Sequence, residues 1–223
     1  MIQILSRAEL DSPVDIRSNS RFIDISYHSK TGTSYLSPYF PFGNIPIPFS
    51  GNRVAQSVMS IWEGLKVFKS RDIDLNIFSI KDKERLRQSK LEFSDFIGYQ
   101  RGLNYDYIYD EQEAYRQIFI PAYRWILEYN VPNIIHWLRA NLYKKIVIIE
   151  DSNEIIPNQL SPGALLRSYV IGDDPFGDVI QKEIKHHSYC GKRVISWQTT
   201  EIKFKHIPPE ISNTTEGYIE FDY

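Results

Sequence analysis

The chain has 223 residues, of which 42% are hydrophobic and 24% charged, and its formal net charge is −2. These values are typical of one globular domain with its own core, and the near-neutral charge argues against a nucleic-acid-binding surface over the whole protein. The single cysteine, Cys190, excludes an internal disulfide and a multi-cysteine zinc site. No apolar run is long enough to cross a bilayer, and the first residues lack the pattern of a signal peptide. We therefore expect a cytoplasmic protein that does not bind membranes.

The first elements expected along the chain are a strand, a long loop and a helix. RFIDISYHS, at residues 21–29, alternates apolar and polar residues as a half-buried strand does. Residues 35–49 are predicted to form a loop, because four prolines prevent a regular ladder or helix. Residues 54–69 then predict a helix, with Asn52 as its N-cap. Its buried stripe, at helical spacing, consists of Val54, Val58, Ile61, Trp62, Leu65 and Phe68.

Three helical regions are expected in the middle of the chain. Residues 81–98 predict a charged helix followed by a shorter element. Residues 110–129 predict two helical halves, which Pro121 either separates or joins with a kink. Residues 131–142 predict a further helix.

One buried strand and one short helix complete the prediction. KKIVIIED, at residues 144–151, is the clearest buried strand in the chain. Ser161 and Pro162 are typical of the N-cap and first turn of a helix, and RVISWQTTEIKFKHI further on is strand-like. We predict one compact α+β domain over residues 1–223, mostly helical with a small sheet.

Two pairs of charged residues are candidates for chemistry. Glu63 and Lys66 are three residues apart beside Trp62, where they either face a pocket or belong to a solvated polar face, and the helix alone favours the solvated face. Glu150 and Asp151 end the buried strand, where a rigid element aims side chains into a crevice. The alternative is a strand that runs out into solvent. Adjacent strand residues point to opposite faces, so only one of the two is expected in a given pocket.

Other candidate sites have weaker signals. GYQRG at residues 98–102 puts Arg101 next to flexible backbone, which suits phosphate binding, although a plain turn with a solvated arginine is the stronger expectation. His186 and His187 are adjacent and lack the spacing of metal ligands, so we predict no metal site. No Walker loop, GxGxxG or GxSxG motif occurs, and no cofactor is predicted.

Taken together, these segments resemble the NADAR superfamily of YbiA-like N-glycosidases. The first motif of that family joins a loop of the type LSNFYPSPF to a helix of the type SVEHYYQAxK. Here LSPYFP stands at residues 36–41 and SVMSIWEGLK at residues 57–66. FIGYQRGL at residues 96–103 is a looser counterpart of the next family segment, and KIVIIED places Glu150 at the strand-end glutamate of the family. The resemblance covers about residues 34–155 and leaves 156–223 as a C-terminal extension.

The chain departs from the family in two motifs. The glutamate of SVEH, to which the family's catalysis is attributed, is replaced by Met59. The family glutamine one turn later is Glu63, which lies on nearly the same helix face and so compensates or marks a branch that has lost activity. The D-x-x-WG motif is absent, and Asp151 or DDPFG at residues 173–177 are its nearest substitutes.

The resemblance implies a hydrolase that cleaves the N-glycosidic bond of an ADP-ribosyl or ribosylated-base substrate. A nucleic acid would then be a partner only as the modified substrate. One alternative is a non-catalytic module that binds and sequesters ADP-ribose or an NAD-derived nucleotide, for instance in phage defence. The other is an interaction protein that docks through LSPYFPFGNIPIPF. The implied site residues are Glu63, Glu150 and Asp151 for catalysis and Tyr39, Trp62, Lys66 and Arg101 for substrate binding.

Overall fold

The structure, a computed structural model, describes residues 1–7, 20–29, 31–70, 72–88, 95–151 and 161–173, and the backbone of 212–213 and 219–220. The strand-like segment RVISWQTTEIKFKHI, His186, His187 and Cys190 lie outside these residues. The strands are β1 Ile2–Ser6, β2 Ser20–Asp24, β3 Ile45–Pro46, β4 Val54–Ala55, β5 Lys66–Phe68, β6 Phe96–Gln100, β7 Ile108–Tyr109, β8 Lys145–Glu150, β9 Ser212–Asn213 and β10 Ile219–Glu220. The helices are α1 Val58–Gly64, α2 Lys83–Gln88, α3 Glu111–Ala114, α4 Ile120–Trp125, α5 Pro132–Ala140 and α6 Pro162–Ile171. The predicted α+β class is confirmed.

The sheet content differs from the single small sheet that was predicted. In the described part of the chain, the strands form two three-stranded sheets, β1-β8-β2 and β5-β6-β7, and two two-stranded pairs, β3-β4 and β9-β10. The β3-β4, β6-β7 and β9-β10 pairs join strands that are close in the chain, whereas β8 pairs with β1 and β2 from the start of the chain.

The β1-β8-β2 sheet is parallel throughout and has the predicted strand at its centre. Five of the six residues of β8 are buried, as expected for a strand that is covered on both faces. Ser6 at the end of β1 is in register with Glu150, and Asp24 at the end of β2 is in register with Ile149. The carboxyl ends of all three strands therefore meet at one edge of the sheet, which we call the carboxyl edge.

The helix predicted over residues 54–69 is wrong at both ends. Its true N-cap is Ser57 and not Asn52, because Ser57 forms a capping box in which its Oγ accepts from the Ser60 N–H (3.0 Å) and its N–H donates to Ser60 Oγ (2.9 Å). After α1 the chain extends, and Lys66 belongs to β5, paired antiparallel with β6. The predicted buried stripe is wrong at Val54, which lies in β4 and is 46% exposed, whereas Phe68 in β5 is half-buried and Leu65 is fully buried.

The predicted pair of helices around Pro121 is one continuous helical segment. Asp110 caps it by accepting the Glu113 N–H at 2.8 Å, and π-helical turns at Tyr115–Phe119 and Ile126–Asn130 alternate with α3 and α4. Pro121 lies in the first turn of α4, directly after a π-helical turn. The wider turn accommodates a residue that has no N–H to donate, so the helix neither stops nor separates there.

The remaining helices follow the predicted order. α2 occupies the charged part of residues 81–98, and the shorter element after it is β6. α6 begins as predicted, with Ser161 Oγ accepting the Ala164 N–H at 3.1 Å. The loop at residues 35–49 is mostly irregular. It contains the two-residue strand β3, which includes Pro46. A strand this short tolerates proline, because it does not need every backbone N–H as a donor.

Candidate functional site

A narrow cleft opens at the carboxyl edge of the parallel sheet. Its enclosed part measures about 20 Å³, which is enough for one water molecule. It brings together the Pro-rich loop, the motif helix α1, the end of β8 and the start of α6. The lining residues are Ile25, Pro38, Tyr39, Met59, Glu150, Asp151 and Pro162.

Glu150 is a buried carboxyl group at the base of this cleft, with 9% of its surface exposed. The Gly163 N–H at the start of α6 donates to Glu150 Oε2 at 2.7 Å. Burial raises the pKa of Glu150, the hydrogen bonds from Ser161 and Gly163 oppose that effect, and the neighbouring Asp151 charge adds to it. Glu150 therefore holds its proton to a higher pH than an ordinary glutamate does.

Asp151 lies beside Glu150 in the same cleft and is half-buried. Its Oδ2 accepts a hydrogen bond from the Tyr27 N–H. The expectation that only one of the two carboxyl groups can enter a pocket is wrong, because β8 ends at Glu150 and Asp151 is no longer bound by strand alternation. Two carboxyl groups in different environments thus border a space the size of one water molecule.

Two cations that sequence reasoning missed, Arg7 and Lys83, contact residues that follow or end β2 at the carboxyl edge. Arg7, just after β1, donates from Nη1 to Asp24 Oδ2 at 2.7 Å and to Ser26 Oγ at 2.6 Å. Lys83 Nζ donates to the Tyr27 carbonyl at 3.5 Å. Burial lowers the pKa of Lys83, and the carboxylates of Asp24 and Asp151 oppose this shift. The signal that could have found Asp24 is a carboxylate at the end of the apolar run RFID, since an acid there must be paired.

The Pro-rich loop and α1 meet at the cleft. The Met59 N–H donates to the Pro38 carbonyl at 3.0 Å, which fastens the loop to the first turn of α1. Tyr39 is 5% exposed, and its ring makes an edge contact with Tyr27 at a centroid distance of 5.2 Å. Tyr39 and Met59 therefore both belong to the lining of the cleft, together with the two acids.

Glu63 and Lys66 form a buried ion pair that the cleft lining does not include. Lys66 Nζ donates to Glu63 Oε2 at 2.8 Å, and the side chains are 21% and 3% exposed, respectively. The solvated polar face that the helix pattern favoured is therefore wrong. Trp62 lies beside the pair and packs against Tyr99 with a centroid distance of 4.0 Å. Burial raises the pKa of Tyr99, and the charge of Glu63 adds to that shift.

Arg101 occupies a third place, in the turn after β6. Its guanidinium lies over the rings of Phe49 (4.7 Å) and Tyr105 (5.1 Å), and its N–H donates to the Tyr107 carbonyl. The Arg101 side chain therefore stacks on aromatic rings. The stronger expectation, a plain turn with a solvated arginine, is wrong. The predicted site residues fall into three groups. Tyr39, Glu150 and Asp151 line the cleft. Glu63 and Lys66 form the buried ion pair with Trp62 beside it, and Arg101 lies in the turn after β6.

A larger and more open cleft of about 680 Å³ lies between the β3-β4 pair and the β5-β6-β7 sheet. Its two carboxylates, Asp72 and Asp106, are exposed. Water screens exposed charges, so they act weakly on a reacting bond. None of the predicted site residues lines this cleft, and the chemistry is better supported at the carboxyl edge.

These features define an α+β domain with a pair of unlike carboxyl groups in a cleft at the end of a parallel sheet. A family model, described as a family of unknown function (DUF6939), matches residues 7–161, and the chain belongs to this family. No curated protein and no solved structure was found to match. The family description gives no activity, so the resemblance to N-glycosidases stays a prediction.

Two further observations concern partners. Within the described residues, no group of three or more His, Cys, Asp or Glu side chains is placed to hold a metal ion. In the same part of the chain, no helix combines the length and apolar character needed to cross a bilayer. Asp173, the first residue of DDPFG, is exposed after α6, and residues 174–177 lie outside the described part.

Proposed function

We propose that this protein is a hydrolase that cleaves the N-glycosidic bond of an ADP-ribosyl or ribosylated-base substrate, as a divergent relative of the NADAR proteins. The observation that carries the proposal is the cleft at the carboxyl edge. The three segments that the resemblance selects, the loop with Tyr39, the helix with Met59 and the strand end with Glu150, all border it. Segments so distant in the chain have no local reason to share one small cleft.

The reaction needs one acid and one base, and the cleft offers a carboxyl group for each. Cleavage of the C–N bond develops positive charge at the anomeric carbon and negative charge on the departing nitrogen. Glu150, whose pKa is raised by burial, donates its proton to that nitrogen. Asp151 takes a proton from water while the water oxygen bonds to the anomeric carbon. The products are the free base and a ribose with a new hydroxyl group, and a proton passes from Asp151 back to Glu150 through solvent.

Because the cleft is small, we expect the attacking water inside it and the substrate outside it. About 20 Å³ accommodates a single water molecule, so the ribose must approach from the mouth and not enter. Tyr39 and Ile25 are buried residues of the lining and give the cleft an aromatic and an apolar wall. A fixed water between two carboxyl groups is positioned for attack without further reorganisation, which is a large part of catalysis by proximity.

The sequence-based roles of Glu63, Lys66, Trp62 and Arg101 stay predictions within this proposal. Glu63 is one helical turn from Met59, and its carboxylate is neutralised by Lys66 at 2.8 Å. We therefore assign the principal acid and base to Glu150 and Asp151, and Glu63 to support of the helix that carries Met59.

One observation favours a second candidate, a non-catalytic binding module. Met59 lines the cleft at the position that the resemblance gives to the family's catalytic glutamate. A thioether can neither donate nor take up a proton, so the cleft would bind ADP-ribose or an NAD-derived nucleotide without turning it over.

Product analysis distinguishes the two candidates. The protein is incubated in H₂¹⁸O with an oligonucleotide carrying an ADP-ribosylated base, whose departing nitrogen needs a proton, and products are identified by mass spectrometry. Hydrolysis puts ¹⁸O on the anomeric carbon, and Glu150→Gln or Asp151→Asn should each lower the rate by at least about a hundredfold. Exposed acids provide matched controls, and Glu128→Gln and Asp95→Asn should leave the rate unchanged. Calorimetric binding of ADP-ribose without any ¹⁸O product would establish the binding module, and neither binding nor product would refute both.

A further inference from the structure

The start of α6 is built around the carboxyl group of Glu150. Helix α6 has ten residues, with Ser161 as its N-cap and Pro162 at its first position. The Gly163 N–H points out of the first turn and donates to Glu150 Oε2 at 2.7 Å. The first N–H groups of a helix have no partner within the helix, so a carboxylate placed there is both hydrogen-bonded and favoured by the helix dipole.

The absence of a side chain at Gly163 makes this contact possible. A Cβ built on Gly163 would lie 2.8 Å from Glu150 Oε2 and 3.0 Å from Glu150 Cδ, which is closer than real Cβ atoms approach. It would also lie 3.2 Å from Cγ2 of Ile4 in β1. The backbone of Gly163 is helical and has no positive φ, so the glycine is not required for its conformation. What requires glycine here is the position of the Glu150 carboxyl group.

We propose that Gly163 is a positioning residue that fixes the carboxyl group of Glu150 for catalysis at the carboxyl edge. The catalytic role of Glu150 rests on the proposed function. The contact between the Gly163 N–H and the Glu150 carboxyl group, which we call the seat of Glu150, does not depend on any substrate. In the protonated acid the carbonyl oxygen is a better hydrogen-bond acceptor than the hydroxyl oxygen. Gly163 holds Oε2 as the acceptor, and the acid proton is therefore carried by Oε1.

Alanine at position 163 isolates this role from a structural one. The atoms that the new methyl group meets first belong to the end of a flexible glutamate side chain, so the carboxyl group moves and the helix does not. Alanine is also a better helix former than glycine by about 1 kcal/mol. A glycine kept only for packing or folding would give the opposite result, a loss of stability with an intact acid.

The experiment compares Gly163→Ala with Arg167→Ala, a control at an exposed position of the same helix. The titration of Glu150 is followed by ¹³C NMR of side-chain carboxyl groups, with Glu150→Gln identifying its signal, and thermal unfolding is measured in parallel. We expect the Glu150 midpoint of Gly163→Ala to move upward by about one pH unit, because the N–H that stabilises the charged form is lost. We expect an unfolding temperature within about 3 °C of the wild type, and the control should change neither quantity.

Turnover supplies the second measurement. If the ¹⁸O assay detects hydrolysis, Gly163→Ala should lower kcat by at least about tenfold with little change in KM, since a displacement of about 1 Å at a reacting group is costly. An unchanged Glu150 titration in Gly163→Ala overturns the inference, as does a large loss of stability. Absence of hydrolysis in the wild type refutes the proposed function alone, because the NMR titration still tests the seat of Glu150.

Discussion

The buried pair of Glu63 and Lys66 makes the sharpest prediction about stability. Lys66→Met keeps the length and apolar stem of the side chain and removes the ammonium group. The carboxylate of Glu63, 3% exposed, then loses the cation that lies 2.8 Å away. Removing one partner of a buried pair costs about 3–5 kcal/mol, and the lower value applies because Lys66 itself is 21% exposed. For a domain of this size, about 3 kcal/mol lowers the unfolding temperature by about 6–12 °C.

A double-mutant cycle tests this reasoning. Glu63→Gln removes the charge but keeps an oxygen that Lys66 can still contact, so we expect a cost of only about 1 kcal/mol. In the double variant no buried charge is left without its partner, and the loss should be at least about 2 kcal/mol smaller than the sum of the single losses. The measurement is urea unfolding at pH 7 for the wild type and all three variants. Additive losses below about 1 kcal/mol each would show that the two charges do not depend on each other.

The same Glu63→Gln variant decides the role that the sequence suggested for this acid. If Glu63 is the catalytic carboxylate, the rate of the ¹⁸O-labelled hydrolysis falls by about a hundredfold or more. If Glu63 only holds α1 in place through Lys66, the rate stays within about threefold of the wild type. The lining of the cleft, which contains Glu150 and Asp151 and not Glu63, leads us to expect the second result.

Two further predictions concern Glu150 and Gly64. Because the pKa of Glu150 is raised in the folded protein, the folded state binds the proton more tightly than the unfolded state, and the stability that this provides is lost as pH rises from its ordinary value near 4.5 through the folded value. The wild type should therefore lose stability relative to Glu150→Gln in urea unfolding as the pH rises above the ordinary pKa of this group near 4.5, and parallel curves would contradict it. A Cβ on Gly64 would lie 2.5 Å from the ring of Phe78, so Gly64→Ala should destabilise the protein by about 1–3 kcal/mol, which an additional Phe78→Leu exchange should partly restore.

Local signals in the sequence account for most of the elements that were predicted correctly. KIVIIE has four consecutive apolar residues and no helical period, and it is the central strand β8. Ser161 and Pro162 begin α6 because an N-cap hydroxyl followed by proline acts within one turn. The helix at residues 54–69 was overextended for a related reason. Its apolar spacing continues into β4 and β5, because β-branched and aromatic residues are also typical of strands.

The candidate site depended on contacts that no local pattern contains. Glu150 was selected as a strand-end acid, but its partner Gly163 lies 13 residues later and its sheet neighbour Ser6 lies at the start of the chain. Parallel pairing of this kind is set by the whole core and leaves no turn signal between the strands. Arg7 and Lys83 carry no motif either, and their proximity to the acids became visible only when the strands were arranged side by side.

The resemblance to the N-glycosidases puts Met59 where that family has a glutamate, and the cleft suggests a physical reason for this difference. Met59 is 3% exposed and borders the same small space as Glu150 and Asp151. A third carboxyl group there would add a like charge to a site where burial already disfavours ionisation. The methionine avoids that repulsion, and the proton transfers can then be carried out by the two acids at the end of β8. In the proposed hydrolase, the proton transfers are therefore assigned to the strand end and not to the helix. The start of α6 supports this assignment, because the Gly163 N–H and the lack of a side chain at Gly163 fix the Glu150 carboxyl group in the cleft.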